Sequence, residues 1–190
     1  MSILWTISDL SQNPKNFIEK ALDKELFIYP TDTIYGIGWI VCESVISKIS
    51  TWKNRPASKF YSIIAPSFER IDEHFERKTS SQEIWEKFTT MIEKPGLTVI
   101  LKHKKNTWFP FELLSPNWTV WVRIINHPLQ KLVAELWQPF ITTSCNKSWE
   151  TPIWSIDQIH EPFDWIIIDW GTLNGSWSAI FDGESWERVR

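Results

Sequence analysis

Short apolar runs rich in β-branched residues alternate with amphipathic stretches along this chain, and that interleaving constrains its fold more than any single motif. Strand-like runs fall at residues 26–29, 61–65, 97–102, 119–124, 140–143, 165–169 and 179–182. Helical periodicity fills 15–22, 43–51, 67–77, 80–92 and 128–136, with a short helix at 155–160. Asn13-Pro14 supplies an N-cap followed by proline at the first helical position. Residues 31–38 mix strand formers with Gly36 and Gly38, which reads as a turn or bulge facing a ligand. Helices interleaved with strands predict an α/β fold, with a largely parallel sheet covered on both faces. No linker, repeat or low-complexity stretch interrupts the pattern, so residues 1–190 read as one domain.

Several function classes are disfavoured at this level. A net charge of −3 gives no global basic field for nucleic acid or membrane, so any anion site must arise by local clustering. No apolar run approaches the roughly 20 residues of a membrane helix. The N-terminus has no basic segment leading into an apolar block, which argues against a signal peptide. Cys42 and Cys145 form neither a metal nor a disulfide pattern, as expected of a reducing cytoplasm. Phosphate-loop, dinucleotide-binding and zinc-protease motifs are missing, and no nucleophile–base triad is visible.

Four clusters could carry chemistry. In Lys53-Asn54-Arg55-Pro56, the proline favours an extended Arg55, so Lys53 and Arg55 are expected to share a face, with Lys59 close by. Such a face suits a polyphosphate, although it also fits a solvated basic loop. Thr142-Thr143-Ser144-Cys145-Asn146 follows an apolar strand, where open α/β sheets bind ligands, and Ser144 and Asn146 are expected on one side. The same residues equally suit a cap for the next segment. Thr31 and Thr33 share a side of the 31–38 segment, with Tyr35 beyond them, and the alternative is a plain polar turn. Arg123 stands in an apolar strand, where it requires either an acidic partner or a ligand carboxylate. Cations, hydroxyls and an amide together suggest electrostatic positioning of an anion rather than covalent catalysis.

In order along the chain these segments resemble the YrdC/TsaC family of threonylcarbamoyl-adenylate synthases. The resemblance rests on Tyr29 through Gly38, Lys53-x-Arg55-Pro56-x-x-Lys59, Pro95-Gly96-Leu97-Thr98, Val122-Arg123-Ile124 with His127-Pro128-Leu129, and Thr143-Ser144-x-Asn146-x-Ser148. Ile168-Asp169-x-Gly171 and Ser178-x-Ile180-x-Asp182 complete it. It implies a YrdC/RibB-like twisted, largely parallel sheet with helices on both faces and a concave basic cavity. It also implies a reaction of ATP, L-threonine and bicarbonate, with Mg2+ arriving on the ATP. Lys53, Arg55, Lys59, Ser144 and Asn146 would hold phosphates, with Lys53 and Arg55 acting in catalysis. Thr31, Thr33, Tyr35, Arg123 and Thr142 would form the threonine and bicarbonate end. The product would serve tRNA modification, so tRNA or a downstream threonylcarbamoyl-transfer complex is the expected partner, with no membrane involved. Ending at Arg190, the chain resembles the short form without an additional C-terminal domain. The competing readings are a double-stranded RNA-binding module of the same fold and the related domain of hydrogenase-maturation carbamoyltransferases.

One count is anomalous: the chain has 14 Trp and only 6 Gly. Average usage would give roughly 13 Gly in a chain of this length. Trp121, Trp149 and Trp170, and with them Trp39, Trp118, Trp137 and Trp177, fall where the family that this chain resembles has glycine, while Trp85 fits an ordinary helix. A gene in which UGA encodes glycine would produce this pattern when UGA is read as tryptophan, and the alternative is a lineage that tolerates tryptophan, with the indoles as aromatic platforms for bases.

Overall fold

The computed structural model of the chain describes residues 3–23, 25–55, 61–76, 86, 90, 96–105, 110, 117–160 and 164–190. Nine strands form one sheet: β1 (Ile3–Thr6), β2 (Phe27–Tyr29), β3 (Gly36–Ile40), β4 (Ser62–Ile64), β5 (Leu97–Lys102), β6 (Thr119–Arg123), β7 (Phe140–Ser144), β8 (Ile166–Asp169) and β9 (Ala179–Asp182). Their spatial order is β1-β8-β2-β3-β7-β4-β6-β5-β9. The α-helices with described bounds are α1 (Ile7–Gln12), α2 (Pro14–Leu22), α3 (Glu43–Lys53), α4 (Phe68–His74) and α5 (Leu129–Leu136), and Ile156–Gln158 form a 3-10 turn.

The α/β class and the single sheet are as expected, but the sheet is mixed rather than largely parallel. Four pairings are parallel, β1/β8, β2/β8, β4/β6 and β5/β9. Four are antiparallel, β2/β3, β3/β7, β4/β7 and β5/β6. Part of the difference arises within residues 31–38, expected as a turn or bulge, where Gly36–Gly38 instead open the strand β3. The connection from Tyr29 to Gly36 is too short for a crossover, so β3 must return antiparallel beside β2. Glycine is required within that strand, because a Cβ on Gly38 would lie 1.7 Å from the Ile141 carbonyl oxygen. The glycines do admit a close approach, but it is by the neighbouring strand.

β1 and α1 were not foreseen. Thr6 caps α1 by accepting from the Asp9 N–H, while Asp9 accepts from Thr6 in return. Buried side chains of all five helices join one apolar cluster, among them Leu10, Phe17, Val45, Ile49, Ile71, Leu129 and Val133. A second, smaller cluster around Ile28, Tyr35, Ile37 and Ile167 is covered by Ile153, Ile156, Ile159 and Leu173, with Trp52 at its edge. Among the described residues, loops and the 3-10 turn thus stand where a second helical layer was expected. The helix expected over 80–92 falls largely outside the described residues.

Candidate functional site

A cavity of about 310 Å³ opens against one face of the sheet. Its floor follows from strand alternation, since successive side chains point to opposite faces and laterally paired residues point to the same one. Thr142 pairs with Gly38 and Ser62, and Ser62 pairs with Trp121, which sets small and polar side chains in one row. Ser62, Thr98, Trp121, Arg123 and Thr142 face the cavity, whereas Ile63, Val99, Val122 and Ile141 enter the apolar core. Thr31, Thr33 and Gly36 supply one wall, Arg55 another, and Trp177, Ser178 and Arg190 a third.

Arg55 reaches the cavity, donates from Nη1 to Thr143 Oγ1 at 3.2 Å, and lies over the Tyr61 ring. Lys53 does not share its face. Asn54 caps α3 in the left-handed conformation (φ 50°), so the chain turns between the two cations instead of running extended. The buried Lys53 ammonium donates to the carbonyl oxygens of Ser144 at 2.5 Å and Asn146 at 2.6 Å, and to Asn146 Oδ1 at 3.2 Å. It braces the turn after β7 from beneath rather than lining the cavity. Lys59 lies outside the described residues.

Ser144 and Asn146 part company as well. Ser144 lines the main cavity, while Asn146 lines a neighbouring hollow with Trp52, Lys147 and Glu150. The Asn146 side-chain amide donates to the carbonyls of Lys147 and Glu150, which closes its own turn. The lysine and arginine are nevertheless brought against the Thr143–Asn146 segment, as the sequence pattern requires.

Thr31 and Thr33 are buried with their hydroxyls 3.0 Å apart. Thr31 Oγ1 also donates to the Ile34 carbonyl at 2.7 Å and accepts from the Thr33 N–H, holding this connection in shape. The Tyr35 hydroxyl reaches the loop after β8, accepting from the Trp170 N–H and donating to the Gly171 carbonyl, each at 2.9 Å. Burial above all, with nearby Asp169, pushes this phenol up to about 12.

Arg123 meets the acid that its strand position demands. Its Nη2 pairs with Asp32 Oδ1, both side chains being nearly buried. Asp32 Oδ2 accepts from the Gly96 N–H at 2.8 Å and the Asn126 N–H at 3.4 Å, so the carboxylate is well satisfied. Nε of Arg123 is buried with no hydrogen-bond partner among the described residues. Asp32, Thr98 and Ser178 stood in the resembling segments without an assigned role, and Ser62 and Arg190 were not singled out as site residues. The signal for Ser62 and Thr98 was alternation within apolar strands, polar at one position and apolar at the next. Arg190 stands over the Trp177 ring, and burial, followed by the proximity of Arg123, lowers its proton affinity.

The described lining thus holds three arginines, several hydroxyls and no acidic side chain. It favours an anion with multiple oxygens, and it offers no general base. No group of acidic, histidine or cysteine side chains able to hold a metal occurs among the described residues. Nor is any described helix long and apolar enough to cross a membrane.

Comparison with known proteins identifies the lineage. A family profile described as "Telomere recombination", covering Sua5, YciO and YrdC, matches residues 20–190. The threonylcarbamoyl-AMP synthase of Psychromonas ingrahamii is 32% identical over 163 residues, covering 81% of each chain. That of Vibrio vulnificus is 27% identical over 190 residues, covering 97% of this chain and 91% of its own. The fold is similar to that of P. abyssi Sua5 complexed with L-threonine, with a TM-score of 0.78 at 24% identity over 99% of this chain. This chain spans 56% of the length of that protein. The matched profile, the relatives and the shared fold agree, and the chain belongs to the Sua5/YciO/YrdC family.

Proposed function

We propose that the chain is a threonylcarbamoyl-AMP synthase, and the observation that carries this reading is a cavity with three arginines and no acidic side chain among its described lining. Both substrates are anionic at their reacting ends, ATP through its phosphates and threonine through its carboxylate. The relatives from Psychromonas and Vibrio bear this name, and the P. abyssi protein of the same fold is complexed with L-threonine.

In the proposed reaction bicarbonate takes up a proton and loses water to give carbon dioxide, and the threonine amine adds to that carbon and releases a proton to solvent, forming a carbamate. A carbamate oxygen attacks the α-phosphorus of ATP, the bond from that phosphorus to the bridging oxygen breaks, and pyrophosphate leaves. Arg55 and Ser144 hold phosphate oxygens, and Lys59 is assigned to the same phosphates from the resemblance alone. Arg123, fixed by Asp32, faces the threonine carboxylate, and Thr31, Thr33 and Thr142 enclose that end. Lys53 and Tyr35 act as positioning residues, Lys53 by holding the Ser144–Asn146 turn and Tyr35 by holding the 169–171 loop. Asn146 closes the nucleotide side through the same turn. With no general base in the described lining, the acceleration comes from alignment and from neutralising charge as it develops on the phosphates.

Magnesium enters as part of the MgATP substrate, held by phosphate oxygens and water, because the described lining offers no carboxylate to cage it. The product passes to tRNA modification through a downstream transfer complex, and a cytoplasmic reaction is in keeping with the use of ATP. The test is pyrophosphate release that requires both threonine and bicarbonate, with mass-spectrometric detection of threonylcarbamoyl-adenylate. Release without threonine, or binding of double-stranded RNA with no release, would refute the assignment.

A further inference from the structure

We infer that the protein made in its native cells carries glycine, not tryptophan, at positions 118, 137, 149 and 186. Among the described residues, five that are not glycine occupy the left-handed region, namely Asn54 (φ 50°), Trp118 (64°), Trp137 (57°), Trp149 (78°) and Trp186 (60°). Asn54 is unremarkable there, because a short polar side chain tolerates this conformation. A bulky residue does not, since its Cβ is forced against the backbone carbonyl, so such residues are genuine outliers. Random placement does not put four members of one residue type among five. The chain's glycines at Gly96 (74°), Gly171 (78°) and Gly175 (73°) occupy the same region as these tryptophans.

Each position is also a glycine position by its architecture. Trp137 caps α5, with its N–H bonded to the Ala134 carbonyl, where helices commonly end in a left-handed glycine. Trp149 lies in the turn closed by Glu150 N–H to the Lys147 carbonyl, three residues after Asn146. Trp118 precedes β6, and Trp186 lies in the turn that follows β9. Burial does not explain three of them, because Trp118, Trp137 and Trp149 are 44%, 52% and 85% exposed, whereas Trp186 is half-buried and stacked on Phe181 and is assigned on its backbone angle.

The same criterion removes Trp39 from the set. That residue is fully buried, stacked on Phe27 at 3.7 Å and edge-on to Phe17 at 5.2 Å, which only a large aromatic ring can fill. Trp52 and Trp165 likewise pack edge-to-face. Trp121, Trp170 and Trp177 do not adopt the left-handed conformation, and the inference does not extend to them. Trp186, which the sequence pattern passed over, joins the set. Replacement of one residue type at glycine positions only, with packed tryptophans retained, requires two codons. UGA is then decoded by a glycine-charged tRNA with the complementary anticodon, and UGG encodes true tryptophan.

The test begins with the gene and with the protein from its native cells. UGA is expected at the four codons and UGG at Trp39, and each tryptic peptide should be lighter by the tryptophan–glycine mass difference. In recombinant protein carrying tryptophan at these positions, W137G and W149G are each expected to raise the melting temperature by about 2–4 °C. W39G should lower it, which controls for a general benefit of removing tryptophan. Tryptophan-containing peptides at 137 and 149, or a melting temperature lowered by W137G and W149G, would overturn the inference.

Discussion

Replacing Lys53 by methionine separates bracing from catalysis. The ammonium is buried and donates to the Ser144 and Asn146 carbonyls and to Asn146 Oδ1, at 2.5, 2.6 and 3.2 Å. Methionine matches much of the lysine stem, so packing changes little while three acceptors lose a charged donor. An orphaned buried acceptor costs about 1–3 kcal/mol, and at the low end for each the variant loses about 3 kcal/mol. For a chain of this size that corresponds to a fall of about 6–12 °C in melting temperature. Thermal unfolding and pyrophosphate release should be measured on the same samples. The expected result is lower stability together with a raised KM for ATP, because the Ser144 wall loses its support. Abolished turnover with an unmoved melting temperature would refute the bracing role and put the ammonium on the phosphates.

Four further outcomes follow from the geometry. Gly38→Ala should destabilise by about 3 kcal/mol or more in urea unfolding, because its Cβ would meet Ile141 backbone at 1.7 Å and that strand cannot yield. Arg55→Met should lower kcat/KM by about 10–100-fold, the worth of a charged hydrogen bond to phosphate, with the melting temperature nearly constant. Asp32→Asn leaves Arg123 without its buried counter-ion, and a loss of about 3–5 kcal/mol is expected in urea unfolding. Burial lowers His127 to about 4 from an ordinary 6.5, with nearby Asp32 opposing the shift. The unfolded chain therefore binds the proton more readily, so this contribution is complete above pH 6.5 and disappears as pH falls towards 4. A pH titration of stability should show a slope over that window in the parent protein that His127→Gln lacks.

The strands at 97–102, 140–143 and 179–182 were legible because an apolar run needs no partner to be recognised. Strand β3 was not, because Gly36 and Gly38 carry no strand propensity of their own and fit only because Tyr29 and Ile141 crowd against them. Lys53 was misplaced for a local reason. Pro56 argued for extension, but the helix continued through Lys53 and turned at Asn54, a left-handed cap that residue spacing does not reveal. Arg123 announced that it needed a partner without saying which, and Asp32 lies 91 positions away in the chain. The cavity floor was hidden for a similar reason, since Ser62, Trp121 and Thr142 become neighbours only through strand register. The left-handed tryptophans show the converse, a compositional oddity whose meaning emerged from backbone angles.

Strand β8 lies between β1 and β2, although both of those precede it by well over a hundred residues. During synthesis the opening strands therefore leave the ribosome with a vacant slot between them, each side presenting unpaired amides and carbonyls. Such late insertion delays folding and exposes sticky edges in the meantime. The nascent chain is accordingly expected to engage chaperones until residues 166–169 emerge, and a fragment lacking them to be rescued by a peptide of that strand supplied in trans.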